Sequence, residues 1–144
     1  MLQQTQVKTV IPYFNKFTKK YKTLESLSKI TENQILKLWE GLGYYRRARN
    51  LLASTRLLVK KYNSRLPNTL NEIKKLPGVG DYTANALIGF IYNEPTLAID
   101  GNVKRVFSRY LNKGELKINF EKLILDNKKN LFNTNRNSDF IEAL

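Results

Sequence analysis

Apolar residues recur at helical spacing along almost the whole chain, and β-branched alternation never lasts long enough to make a strand. That periodicity restricts the chain to an all-α fold. The clearest helix runs from Tyr45 to Asn63: Ala48, Leu51, Leu52, Thr55, Leu58, Val59 and Tyr62 share one face, and Arg46, Arg49, Arg56, Lys60 and Lys61 occupy the other. Val7 to Lys20 is also helical in pattern, with Pro12 expected to kink it or to set a boundary near Ile11. Thr23 is placed to cap Leu24 to Ser28. Thr31 followed by Gln34 has the form of a capping box opening a helix through Trp39, which Gly41 and Gly43 stop.

Farther along, Thr69 is expected to cap Leu70 to Lys75, and Leu76-Pro77-Gly78-Val79-Gly80 forms a tight connection. Asp81 then caps Tyr82 to Tyr92. Thr96 to Ile99 is extended, and Asp100-Gly101 opens a helix in which Val103, Val106, Phe107, Tyr110 and Leu111 share a face. Ile118 to Phe132 carries the last strong pattern, and Ser138 is placed to cap a helix beginning at Asp139. Both ends read as cuts through a larger fold, because Met1-Leu2 resembles a helix interior and Asp139 to Leu144 the start of another helix.

The 144 residues make about one domain, and 42% hydrophobic residues suffice for one core. Charge is less ordinary. Twenty-five Lys and Arg against 12 Asp and Glu give a formal +13, so a polyanionic partner is the first expectation. The chain has no Cys and no His, which excludes from these residues zinc fingers, thiolate nucleophiles, imidazole-based triads and iron–sulfur ligation. Acid–base work would fall to carboxylates, Tyr, Lys or a held water. Ala86 to Tyr92 is the longest apolar run, far short of a membrane span, and the first residues form no signal peptide; an intracellular, cytoplasmic location is expected.

Three constellations could carry chemistry. In Leu76-Pro77-Gly78-Val79-Gly80, two glycines around one apolar residue leave successive backbone N–H groups facing outward at a helix N-terminus, a nest for a phosphate oxygen. An ordinary helix–helix turn is the plainer alternative; Lys74, Lys75 and the basic total favour DNA. Asp100 follows the apolar Leu97-Ala98-Ile99, so its carboxylate stands at a helix N-terminus beside a buried segment. A cap worth about 1 kcal/mol is its ordinary role. Gly41-Leu42-Gly43-Tyr44-Tyr45-Arg46-Arg47-Ala48-Arg49 sets two aromatics between glycines and three arginines, as in proteins that wedge into a base stack while holding the backbone. Otherwise one tyrosine, more readily Tyr45 than Tyr44, packs in the core and the arginines form a solvated face. The polar Gln3-Gln4-Thr5-Gln6 reads by itself as surface.

Together and in order, MLQQTQV from Met1, LWEGLGYYRRARN from Leu38, LPGVGDYTANA from Leu76 and AIDGNVKRV from Ala98 resemble the adenine DNA glycosylases of the helix-hairpin-helix superfamily, the MutY family. The resemblance implies a six-helix barrel core over residues 1–144, with the hairpin within 69–92, that removes adenine mispaired with 8-oxoguanine or guanine from duplex DNA. It makes Asp100 the carboxylate that stabilises the oxocarbenium ion, with Asn102 ordering the site and Tyr82 facing it. Gln3, Gln4 and Tyr44 match residues that enter the DNA at the lesion, Tyr44 as the wedge. Gly78, Val79 and Gly80 match the phosphate-gripping hairpin, and Arg46, Arg49 and Lys104 are further DNA contacts. Lyase-competent relatives such as endonuclease III carry a Lys at the position of Tyr82, so a Tyr implies hydrolysis without strand cleavage.

In that family the general acid is a Glu two residues before the Met of the MLQQT motif, a position ahead of Met1. A four-cysteine 4Fe–4S cluster and a domain that recognises the oxidised guanine follow the matched stretch. The resemblance thus implies a truncated core with no cofactor ligands or metal site of its own, acting as a monomer on the nucleoid and on no membrane. A non-catalytic helix-hairpin-helix DNA-binding module and an endonuclease III-like glycosylase are the alternatives.

Overall fold

The computed structural model describes residues 1–114, 118–132 and 136–143. Its described residues form helices and connections with no strand, as the periodicity requires: α1 (Val7–Lys20), α2 (Leu24–Ser28), α3 (Glu32–Trp39), α4 (Arg46–Lys61), α5 (Leu70–Ile73), α6 (Asp81–Tyr92), α7 (Gly101–Tyr110), α8 (Phe120–Asp126), α9 (Lys128–Leu131) and α10 (Asn137–Ala143). The chain divides into two compact units, Met1–Pro67 with Lys75–Gly78 and Asn68–Lys74 with Val79–Leu144.

In the first unit α2 and α3 pack on α4, and α1 on α3. Val10, Phe17, Leu27, Ile30, Ile35, Leu38, Trp39, Leu42, Ala48 and Leu52 form its core. Phe17 meets the Trp39 ring edge-on at 6.0 Å, and the indole Nε1 donates to Gly43 O at 3.0 Å, which ties the end of α3 to the following turn. Thr55 is almost wholly buried, and its hydroxyl donates back to Leu51 O within α4. Thr23 and Thr31 both form complete capping boxes, with Ser26 and Gln34 as the reciprocal partners. Arg56 crosses to the far end of α2 and donates to Ser28 O at 3.0 Å and Ile30 O at 2.7 Å, carbonyls left over where that helix stops.

Pro12 neither ends α1 nor bounds it; the helix runs through to Lys20. A proline there forfeits one backbone bond, and buried Val10 and Phe17 anchor the helix on both sides of it. α4 starts at Arg46 and stops at Lys61, inside the expected limits, because Asn63 and Ser64 both turn left-handed (φ 49° and 59°). Tyr45 is 42% exposed and does not pack in the core.

In the second unit Leu97, Val103, Phe107, Phe120 and Ile141 form the core, and α6 packs against α5 and α10. Thr69 caps α5, which ends at Ile73, two residues short of the expected Lys75. On α7 the buried stripe is Val103, Phe107 and Ser108, while Val106 and Tyr110 face solvent, so the inward face is rotated from the one the sequence suggests. Asn127 divides the expected Ile118–Phe132 helix into α8 and α9; its side chain turns back to Leu123 O at 2.9 Å. Ser138 is not a cap. α10 starts one residue earlier, and the Ser138 N–H donates to Asn93 Oδ1 while Asn137 Nδ2 donates to Asn93 O. Asn93 itself closes α6 in the left-handed conformation (φ 55°), so one residue ends one helix and receives the start of another.

Ile35 has no solvent exposure, so Ile35→Ala should cost about 2–5 kcal/mol in chemical denaturation, whereas Leu125→Ala, at a side chain 72% exposed, should change stability by less than about 0.5 kcal/mol.

Candidate active site

Asp100 is the N-cap of α7. Its Oδ1 accepts from Asn102 N at 2.8 Å and Val103 N at 2.9 Å, two of the amides that a helix start leaves unpaired. The carboxylate is half-buried after the buried Leu97 and Ala98. Its Oδ2 has no protein partner among the described residues. Capping thus occupies one oxygen and leaves the other for chemistry.

Asn102 reaches Asp100 through its backbone alone; its side-chain Oδ1 accepts from Arg105 Nη2 at 2.6 Å. Lys104, three residues into α7's exposed side, holds its ammonium 6.0 Å from the centre of the Phe120 ring. Tyr82, on the first turn of α6, is 49% exposed and available to a ligand.

Between α5 and α6 the chain turns at Gly78, whose φ of +78° favours glycine. Space demands glycine there as well, because an added Cβ would lie 2.5 Å from Asn50 Nδ2 and 2.8 Å from Asn50 Cβ. Ser54 Oγ donates to Pro77 O at 2.8 Å and fixes the same turn from α4. Gly80, not Asp81, is the N-cap of α6, and its carbonyl accepts from Ala84 N. Asp81 is instead ion-paired with Lys74 across the hairpin, so the expected cap is not found. Val79 is half-buried, and Gly78 and Gly80 are exposed on either side of it. The chain thus enters α6 through a tight glycine turn, the kind of backbone that can receive an anion.

Gln3 and Gln4 lie in the turn before α1, both exposed, with Gln4 left-handed (φ 53°). Gln3 Nε2 points to Gly78 O at 3.4 Å, which brings the glutamine turn to the hairpin's glycine within the first unit. Tyr44 is also left-handed (φ 50°) and 65% exposed. Arg46 is exposed, while Arg49 pairs with Glu32 at 2.6 Å, a solvated contact worth no more than about 1 kcal/mol that a phosphate could replace.

Arg47, between them, is the one of the three arginines that neither faces solvent nor is free to hold a phosphate. Arg47 turns inward and gathers both exposed segments: Nη1 donates to Met1 O (2.7 Å), Gln3 O (2.5 Å) and Thr5 Oγ1 (2.8 Å), and Nη2 to Leu42 O (3.1 Å) and Gly43 O (3.2 Å). A signal was available, since Arg47 stands four and eight residues before Leu51 and Thr55 on the apolar side of α4.

Two short helices joined by a glycine nest, with an aspartate-capped helix following, define a helix-hairpin-helix protein. The chain belongs to the HhH-GPD superfamily of base excision DNA repair proteins, whose family model matches residues 1–127. Among curated proteins it is 51% identical over 110 residues to the adenine DNA glycosylase of Buchnera aphidicola subsp. Baizongia pistaciae, a match covering 76% of this chain and 31% of that protein. It is 42% identical over 110 residues to the human adenine DNA glycosylase, covering 76% of this chain and 20% of that one. The matched stretch is therefore under a third of those relatives' length. Among solved structures, a thermostable thymine-DNA glycosylase superposes with a TM-score of 0.81 at 26% identity, over 97% of this chain and 65% of that one. A trapped endonuclease III–DNA covalent intermediate superposes with a TM-score of 0.77, also at 26% identity, over 97% and 67%.

Gly78→Ala should lower stability by about 1–3 kcal/mol, from the left-handed backbone and the collision with Asn50 together. Gly80→Ala, with φ −92° and open space for a Cβ, should stay within about 0.5 kcal/mol of the parent. Adding Asn50→Ala to Gly78→Ala should restore only the part of the loss due to the Asn50 amide in thermal melts, because the Cβ that alanine keeps still stands 2.8 Å from the added carbon.

Proposed function

We propose that these residues form the core of a monofunctional adenine DNA glycosylase, which acts as a monomer on duplex DNA of the nucleoid and hydrolyses the N-glycosidic bond of adenine mispaired with 8-oxoguanine or guanine. The observation that carries the reading is the carboxylate of Asp100, half-buried and pinned through Oδ1, with Oδ2 unpaired among the described residues. When the bond from C1′ to the purine breaks, the electron pair leaves with the base and positive charge develops on the sugar. A fixed carboxylate oxygen facing that charge stabilises the transition state without having to reorganise. Water then adds at C1′ and gives up a proton, while the departing adenine takes one up. Gln3, Gln4 and Tyr44 enter at the lesion, Tyr44 as the wedge, and the Gly78–Gly80 nest with Arg46, Arg49 and Lys104 holds phosphates.

Tyr82 supports hydrolysis without strand cleavage, because a phenol cannot form the Schiff base that an amine would form at C1′. Thiolate ligation of an iron–sulfur cluster does not fit these 144 residues, which contain no Cys.

Asp100→Asn separates the two roles of the residue, since asparagine caps a helix as well as aspartate does but carries no charge. Melting temperature should change little, while single-turnover release of adenine from a mispair with 8-oxoguanine should fall at least about 100-fold. Equal rates for the two proteins would leave a DNA-binding module without this catalytic assignment. Borohydride should trap no covalent adduct with the parent protein.

Binding to duplex DNA should weaken steeply with salt, given the +13 charge. If about six phosphates are neutralised, affinity should drop by about 1,000-fold between 50 and 200 mM salt. A flat salt response in a filter-binding or anisotropy titration would rule out the phosphate-based mode.

A further inference from the structure

Arg47 is half-buried at the head of α4, and its two terminal nitrogens serve two different segments: Nη1 takes the carbonyls of Met1 and Gln3 and the Thr5 hydroxyl, Nη2 the carbonyls of Leu42 and Gly43. Its guanidinium carbon also lies 5.3 Å from the centre of the Tyr44 ring and 5.6 Å from that of Trp39. The Trp39 indole donates to Gly43 O as well, so that carbonyl is held from two sides. Neither segment has regular structure, and each contains a non-glycine residue in the left-handed region, Gln4 and Tyr44. Such backbone is unfavourable by itself and persists where surrounding contacts fix it.

We propose that Arg47 is a positioning residue that locks the glutamine turn and the Gly43–Tyr44 turn into one preformed unit, so that Gln3, Gln4 and Tyr44 engage a mispair together. The docking role rests on the reading above that these side chains enter the DNA; the lock itself rests on geometry alone. A solvated arginine would donate to water or phosphate, whereas this one spends both ends on backbone carbonyls 4 to 46 residues away in sequence. Preordering the two turns during folding removes the cost of ordering them on the DNA. Lysine cannot substitute. Its single ammonium carries the same charge but has no planar fork to span two loops.

Arg47→Lys is therefore the charge-neutral probe. In hydrogen exchange on the free protein, amides within residues 1–5 and 42–44 should exchange faster than in the parent, with the interior of α4 around Leu52–Leu58 unchanged. In titrations, preference for a duplex with one adenine opposite 8-oxoguanine over the same duplex with adenine opposite thymine should fall by about tenfold, while affinity for the matched duplex stays within about twofold. Adding Tyr44→Ala to Arg47→Lys should cost no further preference than Tyr44→Ala alone. Tyr45→Ala is the control for the neighbouring exposed ring. Should Arg47→Lys fail to fold, Thr5→Ala removes one acceptor of the set and should give the same changes in smaller measure.

Unchanged exchange in both turns would overturn the lock. Equal losses on matched and mispaired duplexes, or additive losses in the double variant, would overturn the docking role. If the parent protein shows no mispair preference, the functional reading and the docking role fall together, and the exchange comparison still decides the lock.

Discussion

Short helices make backbone satisfaction the governing constraint in this protein. Every helix end leaves N–H or C=O groups without an intrahelical partner, and a fold built from helices of four to sixteen residues has many such ends. Side chains close a large share of them. Thr23, Thr31, Thr69, Asp100 and Asn119 accept from helix starts. Arg56 covers the carbonyls behind α2, and Asn93 closes α6 while receiving α10. Where these partners sit decides where each element starts, stops and leans.

The candidate chemistry grows out of the same constraint. Asp100 is a helix cap first; because two amides of α7 hold one oxygen, the other is fixed in space beside the buried Leu97–Ala98 segment. The hairpin differs, because the N-cap of α6 is Gly80, which has no side chain to offer its own helix. One helix N-terminus thus holds its own carboxylate, and the other begins at a glycine turn.

The basic charge divides in a similar way. Arg47 and Arg56 are spent on backbone carbonyls of the protein, Lys74 and Arg49 on ion pairs with Asp81 and Glu32, and Arg46 and Lys104 remain on the surface. Net charge alone, +13, therefore overstates the number of cations that can meet a phosphate without first losing another partner.

Features whose physics is local could be read from the sequence. Periodicity determined the all-helical fold, the spacing Thr-x-x-Gln determined the capping box at Thr31, and the position of Asp100 before Gly101 determined its cap. The Leu76–Gly80 turn and the motif order were enough to identify the superfamily. Tertiary structure decided what depends on partners distant in the chain: Asn50 against Gly78, Asn93 against Ser138, and above all Arg47, whose acceptors at Met1, Gln3 and Thr5 lie 42 to 46 residues away. Pro12 inside α1 and the rotated face of α7 belong with these, since packing overrode the local preference in both. An arginine in a run of arginines looks the same from sequence whichever way it turns; only the carbonyls that meet it fix its direction, and those are set by the fold.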